Sequence, residues 1–436
     1  LFKTTRQMRL FLPLFLLFLL AACDKTPPIP QQTLQEDVQA ISDEIIAARR
    51  HLHQHPELAG NEVQTQKYIE DFLKEKGIEI LPNVYGHGVI GVINKGKAGK
   101  RVAWRADMDA LPNNFPDELE FKSVFDGVQH GCGHDVHMAI GLGIAAVLAK
   151  RKDQINGQVY FIFQPEEETF VGAKNMVDNG MISTTQIDEM YALHVTALPV
   201  GMIMVKPDEL YAYQKRVQIS LDTILPQEEL STLYSELRNQ IMRLEAGEAP
   251  WNLSLAFDEQ AGLHNKNTLF ADYRIMDETP QVKTGQDQSN IYGYIYETDA
   301  TKVAEIIPSI RDFLQKHQLS EVLSTISFVQ KNPTVINDEQ LTTDAVAILS
   351  KHFGDSSVTL SHGQIPYFND DFTYFQQEVS GVYFLLGGSN TGKGIVAMNH
   401  APNFQVDEDC IAIGVERFAT LLLERINEAG NEKTSN

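Results

Sequence analysis

The pattern of apolar and polar positions divides the chain into predicted helices and strands. Apolar residues recur at helical spacing over residues 36–53 and 62–76, and Gly77 offers a stop for the second helix. Short runs rich in β-branched and aromatic residues follow, at residues 89–93, 102–105, 159–163 and 190–195. A strongly apolar helix is predicted between the second and third runs, at residues 137–150. Strands that alternate with helices predict an α/β sheet.

The pattern changes after about residue 206 and changes back near residue 331. Between these points, strands are predicted at 215–222, 252–257, 267–275, 289–296 and 322–329, with helices at 227–245 and 301–317. This order predicts a small α+β (ferredoxin-like) domain. The α/β pattern then resumes with a helix at 338–353, a strand at 382–386 and a helix at 407–427. We therefore expect a body of residues 36–205 and 331–428, an inserted domain of residues 206–330 and a tail of residues 429–436.

The first 22 residues predict an export signal. Lys3, Arg6 and Arg9 precede an uncharged apolar run over residues 10–20, which is too short to span a bilayer comfortably. Small residues directly before Cys23 resemble the lipobox of bacterial lipoproteins, in which the cysteine is lipidated. We expect residues 1–22 to be removed, Cys23 to anchor the protein to a membrane and residues 23–35 to act as a tether. The protein would be an exported bacterial lipoprotein, periplasmic or on the cell surface; an ordinary signal peptide or an uncleaved anchor is the alternative.

Charge and cysteine content narrow the class of protein. The formal net charge of −22 over 436 residues argues against nucleic acid as a partner, because phosphate binding needs a basic surface. Besides Cys23, the chain has two cysteines, Cys132 and Cys410. Since Cys132 lies among histidines and Cys410 in a predicted helix, we expect no structural disulfide between them.

Residues 130–137 form the most informative motif of the chain. They read His-Gly-Cys-Gly-His-Asp-Val-His, which gathers thiolate and imidazole ligands within a short segment. Borderline ions such as Zn²⁺ prefer these ligands, and Gly133 lets Cys132 and His134 face one ion. The motif therefore indicates a metal site, although a loop with a buried cysteine and surface histidines would look similar.

Other ligand-type residues end predicted strands or precede helices. Asp107 and Asp109 lie two residues apart at the end of a buried strand, where open α/β sheets bind ligands. The glutamates at 166–168 follow the next strand, and adjacent glutamates on a turn can diverge, one to bind metal and one to act as general base. His194 ends a strand and His400 precedes the last helix. Each has a structural explanation when taken singly, such as a solvated turn; together they favour a metal site.

The ordered combination of these motifs resembles the amidohydrolase branch of the dinuclear metallopeptidase family. That branch includes hippurate hydrolase, indoleacetyl-amino-acid hydrolases and N-acetyldiaminopimelate deacetylase. The resemblance covers roughly residues 37–205 and 335–427. It is carried by these positions: His53, Pro56, Glu57, Leu58, Glu62, Thr65, residues 105–112, 132–135 and 163–165, Glu167, Glu168, His194 and residues 400–402.

The resemblance implies a fold, a cofactor and a role for each site residue. The fold is a phosphorylase/hydrolase-like catalytic domain with a mixed central sheet and an inserted lid. The cofactor is two divalent ions, zinc or manganese with nickel or cobalt as alternatives. The implied ligands are Cys132, His134, Glu168, His194 and His400. Glu167 would be the catalytic base that activates a metal-bound water, and Asp109 would orient a ligand or tune the site.

The inserted domain departs from the family pattern. Relatives usually carry a glycine-rich stretch with a histidine after its first strand, and this histidine helps to stabilise the oxyanion, often across a homodimer interface. Here residues 220–226 read Ser-Leu-Asp-Thr-Ile-Leu-Pro, and His264 is only a weak substitute. Asn369, Asp370 and Asp371 stand where the family usually has Glu-Asp. Because losing an oxyanion donor costs about 10²- to 10³-fold in rate, we expect low activity or an unfamiliar substrate beside an intact metal site.

The residues and the resemblance together predict a metal-dependent hydrolase that cleaves the amide bond of an N-acyl amino acid or a small peptide-like amide. Two alternatives stay open. A carboxypeptidase or dipeptidase would use the same metals, and a catalytically silent lipoprotein would bind a ligand or partner through the altered domain. The acyl group, the amino acid and the native metal cannot be read from the sequence.

Overall fold

The computed structural model describes residues 31–244, 249–258 and 260–428. The predicted signal peptide, the predicted lipidation site Cys23, most of the tether and the predicted tail lie outside the described residues. Within the ranges just given, no helix has the length and apolar character needed to cross a membrane.

The described strands form two main sheets and one short two-stranded pair. In chain order they are β1 (Glu79–Ile80), β2 (Val89–Ile93), β3 (Lys100–Asp107), β4 (Gly157–Gln164), β5 (Glu189–Pro199), β6 (Ile203–Val205), β7 (Asp208–Glu209), β8 (Tyr213–Leu221), β9 (Arg274–Met276), β10 (Gln281–Thr284), β11 (Ser289–Glu297), β12 (Leu323–Gln330), β13 (Ile336–Asn337), β14 (Val358–Leu360) and β15 (Ser380–Ser389).

The described α-helices lie mostly between the strands of the body. In chain order they are α1 (Gln31–Gln54), α2 (Val63–Glu75), α3 (His134–Lys150), α4 (Gly172–Asp178), α5 (Met181–Thr185), α6 (Gln227–Ile241), α7 (Ile306–Lys316), α8 (Glu339–Phe353), α9 (Thr373–Gln376) and α10 (Asp409–Asn427).

The central sheet has eight strands in the order β1-β2-β4-β3-β5-β15-β6-β14. Neighbours β4, β3, β5 and β15 run parallel, whereas β2 is antiparallel to β1 and β4, and β15 is antiparallel to β6. The parallel strands β4 and β15 are buried along almost their whole length, as is typical of strands covered on both faces. The mixed central sheet confirms the predicted fold class.

The second sheet belongs to the insertion, which we call the lid. Its strands lie in the order β10-β11-β8-β12, with β9 beside β11. Along the chain, β8, α6, β10, β11, α7 and β12 follow the βαββαβ order of a ferredoxin-like fold. Val217, Ile219 and Leu221 alternate along β8 and pack in one core with Leu230 of α6 and Phe313 of α7. The lid is therefore ferredoxin-like, as the sequence predicted.

Two of the strand predictions for the lid are wrong. Residues 252–257 do not form a strand, because Leu253–Phe257 is a 3-10 helix. Of the strand predicted at 267–275, only the end is extended, and the strand lies at Arg274–Met276. Leu253 and Leu255 alternate as they would on a strand, but they pack against a core of the body instead of lying on a sheet face. That contact is between residues distant in sequence, so local periodicity does not reveal it.

Two cores cover the faces of the central sheet. One face packs against α1, α3 and α10 through residues such as Ile45, Leu142 and Phe418. The core on the other face includes Ala192 and Tyr383 of the body together with lid residues such as Tyr273. The lid is thereby fixed near the edge at which β3, β4, β5 and β15 end, where open α/β sheets bind ligands.

Candidate metal centre

The predicted ligands converge at the carboxyl edge of the central sheet. β3 ends at Asp107, whose register partner Gln164 is the last residue of β4. His194 lies in β5, Cys132 comes just before α3, and His400 lies in the loop between β15 and α10. Because parallel strands end at a common edge, residues distant in the sequence meet there.

Helix α3 begins three residues earlier than the apolar pattern indicated, at His134. The residue that precedes it, Gly133, has a φ of 95°, in the left-handed region that favours glycine. A Cβ at this position would lie 2.3 Å from Cγ1 of Val195. Glycine is therefore required both by the backbone conformation and by the close approach of β5, and it allows Cys132 and His134 to point to the same space.

Cys132 belongs to two groups of closely spaced donor atoms. In one group its Sγ lies 3.3 Å from Nε2 of His194, and His134 supplies the third donor. In the other group Sγ lies 3.1 Å from Nε2 of His400, and Glu168 supplies the third donor. The donor atoms of each group lie within 4.8 Å of one another. The structure thus brings all five predicted ligands together, with the cysteine shared by both groups.

Hydrogen bonds determine which imidazole nitrogen is available in this centre. Nδ1 of His134 lies 2.8 Å from the carbonyl oxygen of Asp109, and Nδ1 of His194 lies 2.8 Å from the carbonyl oxygen of Val195. Because a carbonyl oxygen only accepts, each Nδ1 carries a proton, which leaves Nε2 as the ring nitrogen that can bind a metal. This is the arrangement in which histidines bind metals in proteins.

Two buried polar atoms of the centre have no hydrogen-bond partner among the described residues: Nε2 of His134 and Oδ1 of Asp109. Buried polar atoms are nearly always paired, so these require an explanation. Thiolate, imidazole and carboxylate are the ligands that borderline divalent ions prefer. The orphaned atoms and the donor set therefore fit a site for divalent ions.

The glutamates at 166–168, which we call the acidic turn, are held at both ends by buried carboxylates. Oε1 of Glu62 accepts the N–H of Glu166 at 2.9 Å, and Oδ2 of Asp109 accepts the N–H of Glu168 at 2.9 Å. Glu166 has a φ of 58°, a left-handed conformation that costs a non-glycine residue about 1 kcal/mol and persists only where neighbours enforce it. The two hydrogen bonds stabilise this turn, from which the side chains of Glu167 and Glu168 diverge.

The surroundings shift the pKa values of Glu167 and Glu168 in opposite directions. Burial, then the charges of Asp370 and Glu168, raises the pKa of Glu167 well above its ordinary value. Burial also acts to raise the pKa of Glu168, but the hydrogen bond with His400 and the charge of His134 outweigh it and lower that pKa. Such a divided pair is typical of one carboxyl group that transfers protons and one that stays ionised.

His137 and Asp107 lie beside the centre but already have partners. Nδ1 of His137 lies 2.6 Å from Oδ1 of Asp107, and Nε2 of His137 accepts the N–H of Val195 at 2.8 Å. Both ring nitrogens are used, so His137 joins the start of α3 to β3 and β5. A metal-binding role for it would require breaking these two hydrogen bonds.

A buried charge network next to Glu167 was missed by the sequence reasoning. Arg105, 1% exposed, lies 2.7 Å from Asp107, 3.1 Å from Asp370 and 3.2 Å from Asp371, measured between nitrogen and oxygen atoms. Carboxylate oxygens of Asp370, Asp371 and Glu167 lie within 4.8 Å of one another. One guanidinium faces several carboxylates, so an excess of negative charge is left beside the candidate metal ligands. The charged residue types were visible in the sequence, but their pairing across the fold was not.

A cleft of about 670 Å³ opens over the centre between the body and the lid. It is lined by candidate site residues and by uncharged lid side chains, among them Cys132, Glu167, Glu168, Gln214, Tyr294 and Gln330. His264 is exposed and does not line this cleft. Among the described lid residues that do line it there is no histidine, so His264 does not replace the histidine that relatives usually carry.

The fold and the site together define a two-domain metal-dependent hydrolase, with a ferredoxin-like lid over a metal centre at the sheet edge. A family model described as peptidase family M20/M25/M40 matches residues 103–424. The chain belongs to this family.

Similar proteins include both peptidases and deacetylases. Thermostable carboxypeptidase 1 of Saccharolobus solfataricus is 30% identical over 413 residues, 91% of this chain and 99% of that protein. N-acetylcysteine deacetylase of Bacillus subtilis is 29% identical over 411 residues, 88% of this chain and 97% of that protein. A solved Bacillus subtilis structure, described as a dinuclear metal binding peptidase, has a TM-score of 0.71 at 26% identity and covers 90% of this chain and 100% of its own. These likenesses confirm the predicted family and the prediction of a metal-dependent amidohydrolase.

Proposed function

We propose that the protein hydrolyses N-acyl amino acids at a centre of two divalent ions held by Cys132, His134, Glu168, His194 and His400. The observation that carries the proposal is the position of Cys132 in both donor groups, at 3.3 Å from His194 and 3.1 Å from His400. A shared thiolate is suited to holding two ions a few ångströms apart. The likeness to N-acetylcysteine deacetylase supports an N-acyl amino acid as the substrate.

The roles of the acidic turn follow from its geometry. Ions bound here would polarise the scissile carbonyl and lower the pKa of a coordinated water. Glu167 is buried in the cleft next to the donor groups. It takes a proton from the attacking water while the oxygen of that water bonds to the carbonyl carbon of the substrate. The same carboxyl group then delivers that proton to the nitrogen as the C–N bond breaks. Asp109 holds the acidic turn and the Nδ1–H of His134 through its side chain and its carbonyl oxygen.

Metal analysis of a matched cysteine pair tests the centre. In Cys132→Ser we expect the metal content to fall from two ions to one or none, because a serine hydroxyl is a much weaker ligand than a thiolate. Cys410→Ala removes the other buried cysteine of the described chain, away from the donor groups, and should keep two ions. Equal metal content in the two variants would contradict the assignment of Cys132.

Glu167→Gln tests the catalytic role separately from metal binding. We expect kcat on N-acyl amino acids to fall by about 10³-fold with the metal content unchanged, since general base catalysis contributes about 10²- to 10⁴-fold. Glu378→Gln, which neutralises an exposed carboxylate of the body, should leave kcat unchanged. If the wild type hydrolyses no member of a broad panel of N-acyl amino acids, or if Glu167→Gln matches it, the proposed function is wrong.

A carboxypeptidase activity is the second candidate, favoured by the likeness to thermostable carboxypeptidase 1. Both reactions would use the same residues, and they differ in what lies on the acyl side of the bond. Comparing N-acyl amino acids with dipeptides and longer peptides of the same C-terminal residue separates them. A kcat/KM that is higher for the peptides would favour the carboxypeptidase.

We also propose that the protein is a membrane-anchored lipoprotein, on the strength of the lipobox-like sequence before Cys23. In a bacterial host, the protein should then appear in the membrane fraction and incorporate labelled fatty acid. Cys23→Ser should abolish both. Unchanged fractionation of that variant would contradict the anchor.

A further inference from the structure

A small apolar recess opens from the cleft beside His194. It shares His194, Tyr211, Leu253, Phe368, Met398 and Asn399 with the cleft, whereas Cys132, Glu168 and His400 line only the cleft. Its volume is about 30 Å³. Since a single water needs about 10–15 Å³, the recess has room for about two or three water-sized or methylene-sized groups.

The lining of the recess is almost wholly uncharged and apolar. Its walls are formed mainly by Leu253, Ala256, Leu263, Ile365, Leu385 and Met398. A charged group that entered this space would lose its hydration against walls that are mostly apolar, which is unfavourable. An aliphatic group would instead exchange water contact for apolar contact, which is favourable.

One wall comes from the lid, and backbone hydrogen bonds fix it to the body. The N–H of His362 donates to the carbonyl oxygen of Leu263 at 2.7 Å, and the N–H of Gln364 donates to that of Phe270 at 2.9 Å. Within the lid segment, the N–H of Leu263 donates to the carbonyl oxygen of Ala256 at 2.9 Å. The wall is therefore built into the fold, and its side chains set the depth of the recess.

The remainder of the cleft differs in character. Gln214 and Gln330 of the lid and Asn332 of the body give the cleft hydrogen-bonding groups, and the hydroxyl of Tyr294 donates to Oε1 of Gln330 at 3.2 Å. The two regions would therefore orient a substrate that has one apolar end and one polar end. In an N-acyl amino acid, the aliphatic acyl chain is the apolar end and the amino acid with its carboxylate is the polar end.

We propose that the recess beside His194 binds the acyl chain of the substrate and restricts the enzyme to short aliphatic acyl groups, with Leu253 and Ala256 as the specificity-determining residues. This inference rests on the proposed function. It names the acyl class: acetyl to butanoyl groups fit, whereas octanoyl and benzoyl groups exceed the space.

The test measures kcat/KM of the metal-loaded enzyme for acetyl, butanoyl, octanoyl and benzoyl derivatives of one amino acid. The wild type should prefer butanoyl to octanoyl by at least about tenfold, since methylene-sized differences in an apolar pocket are worth about 10- to 200-fold. Leu253→Ala should deepen the recess and raise the octanoyl-to-butanoyl ratio at least about tenfold. Ala256→Val should fill it and lower the butanoyl-to-acetyl ratio by about tenfold.

Leu255→Ala is the matched control. Leu255 lies in the same 3-10 helix but does not line the recess, so its removal should leave both ratios unchanged. Inhibition by the free carboxylic acids of the series gives a second readout, and its chain-length order should shift in the same direction in each variant. Melting curves establish that the variants are folded, and Leu253, which is only partly buried, offers a substitution that the fold tolerates.

The outcomes separate this inference from the proposed function. If the wild type hydrolyses no acyl derivative, the proposed function fails. If it hydrolyses them but Leu253→Ala and Ala256→Val keep the wild-type ratios, only the proposal that the recess binds the acyl chain is overturned. If these variants instead change the preference among N-acetyl derivatives of different amino acids, the recess binds the amino-acid side chain, which also overturns the inference.

Discussion

At the scale of single residues, Glu62 combines complete burial with an unsatisfied charge. It is 0% exposed, and while Oε1 accepts the N–H of Glu166, Oε2 has no hydrogen-bond partner among the described residues. Burial, opposed by hydrogen bonds from backbone N–H groups and aided by the charge of Asp109, raises the pKa of Glu62 to about 7. The residue that holds one end of the acidic turn therefore titrates near neutrality in the metal-free protein.

Glu62→Gln should make metal-free protein more stable at pH 8 and leave its stability at pH 4 unchanged. The folded state keeps the Glu62 proton up to a pKa of about 7, whereas the unfolded chain releases it near 4.5. The raised pKa of Glu62 therefore stabilises the folded wild type fully below about pH 4.5, and this contribution is lost as pH rises through about 7. The shift corresponds to at most about 3 kcal/mol, and glutamine avoids the loss while its Oε1 still accepts the N–H of Glu166.

Urea denaturation of both proteins at intervals from pH 4 to pH 8 measures the difference. The gap in unfolding free energy should open above about pH 4.5 and level off above about pH 7. Glu75→Gln, at the exposed C-terminal end of α2, the helix that Glu62 precedes, should stay within about 0.5 kcal/mol of the wild type throughout. A gap that is constant with pH, or that closes as pH rises, would show that Glu62 is not the titrating group.

At the scale of elements, Arg105 joins β3 to parts of the chain far away in sequence. It contacts Asp370 and Asp371, which precede α9, and its Nε donates to Oε1 of Gln164 at the end of β4 at 2.7 Å. Asp371 in turn accepts the N–H of Ala173 in α4 at 2.9 Å. One side chain thus connects elements from both parts of the body beneath the acidic turn.

Arg105→Met should destabilise the protein by about 3–5 kcal/mol, because it leaves buried carboxylates without their counter-ion. Guanidinium denaturation of metal-free protein measures this loss. Arg101→Met on the same strand is the matched control, since Arg101 contacts Gln186 near the surface and its loss should cost at most about 1 kcal/mol. Similar unfolding free energies for the two variants would mean that the buried network carries no net stabilisation.

The elements that could be predicted from sequence are those whose environment is set locally. β4 is buried along its whole length and is apolar without a break from Val159 to Phe163, so this run predicts a strand. The segment around Leu253 shows strand-like alternation, yet it is a 3-10 helix in which the carbonyl oxygen of Ala256 accepts the N–H of Leu263, and the carbonyl oxygen of Leu263 accepts the N–H of His362. The candidate metal ligands at strand ends were predictable because their positions follow from local sequence. The partners of Arg105 and the hydrogen bond from the N–H of Glu166 to Glu62 were not. Those contacts join segments far apart in the chain.

At the scale of the whole molecule, the lid and the body share a core. Tyr273 and Tyr296 of the lid lie in one apolar cluster with Tyr383 and Leu385 of the body. The hydroxyl of Tyr273 also donates to the carbonyl oxygen of Gln364 at 3.0 Å. A lid connected to the body only through its two chain crossings would be expected to move and unfold separately. The shared core opposes this, and it also holds the apolar recess at a constant depth.

The shared core predicts that lid and body unfold together and that metal stabilises both. The chain's two tryptophans report on the two parts: Trp104 lies in the core of the body, and Trp251 lies in the lid segment that packs on the shared core. Trp251→Phe and Trp104→Phe leave one reporter each. The denaturation midpoints detected by fluorescence should coincide once the loss of unfolding free energy caused by each substitution, measured by circular dichroism, is subtracted. Divalent metal at 100 times its Kd should raise both by the equivalent of about 2.7 kcal/mol for each bound ion, because it binds only folded protein. If Trp251 reports an earlier transition that metal does not shift, the lid segment unfolds independently and cannot define a fixed recess.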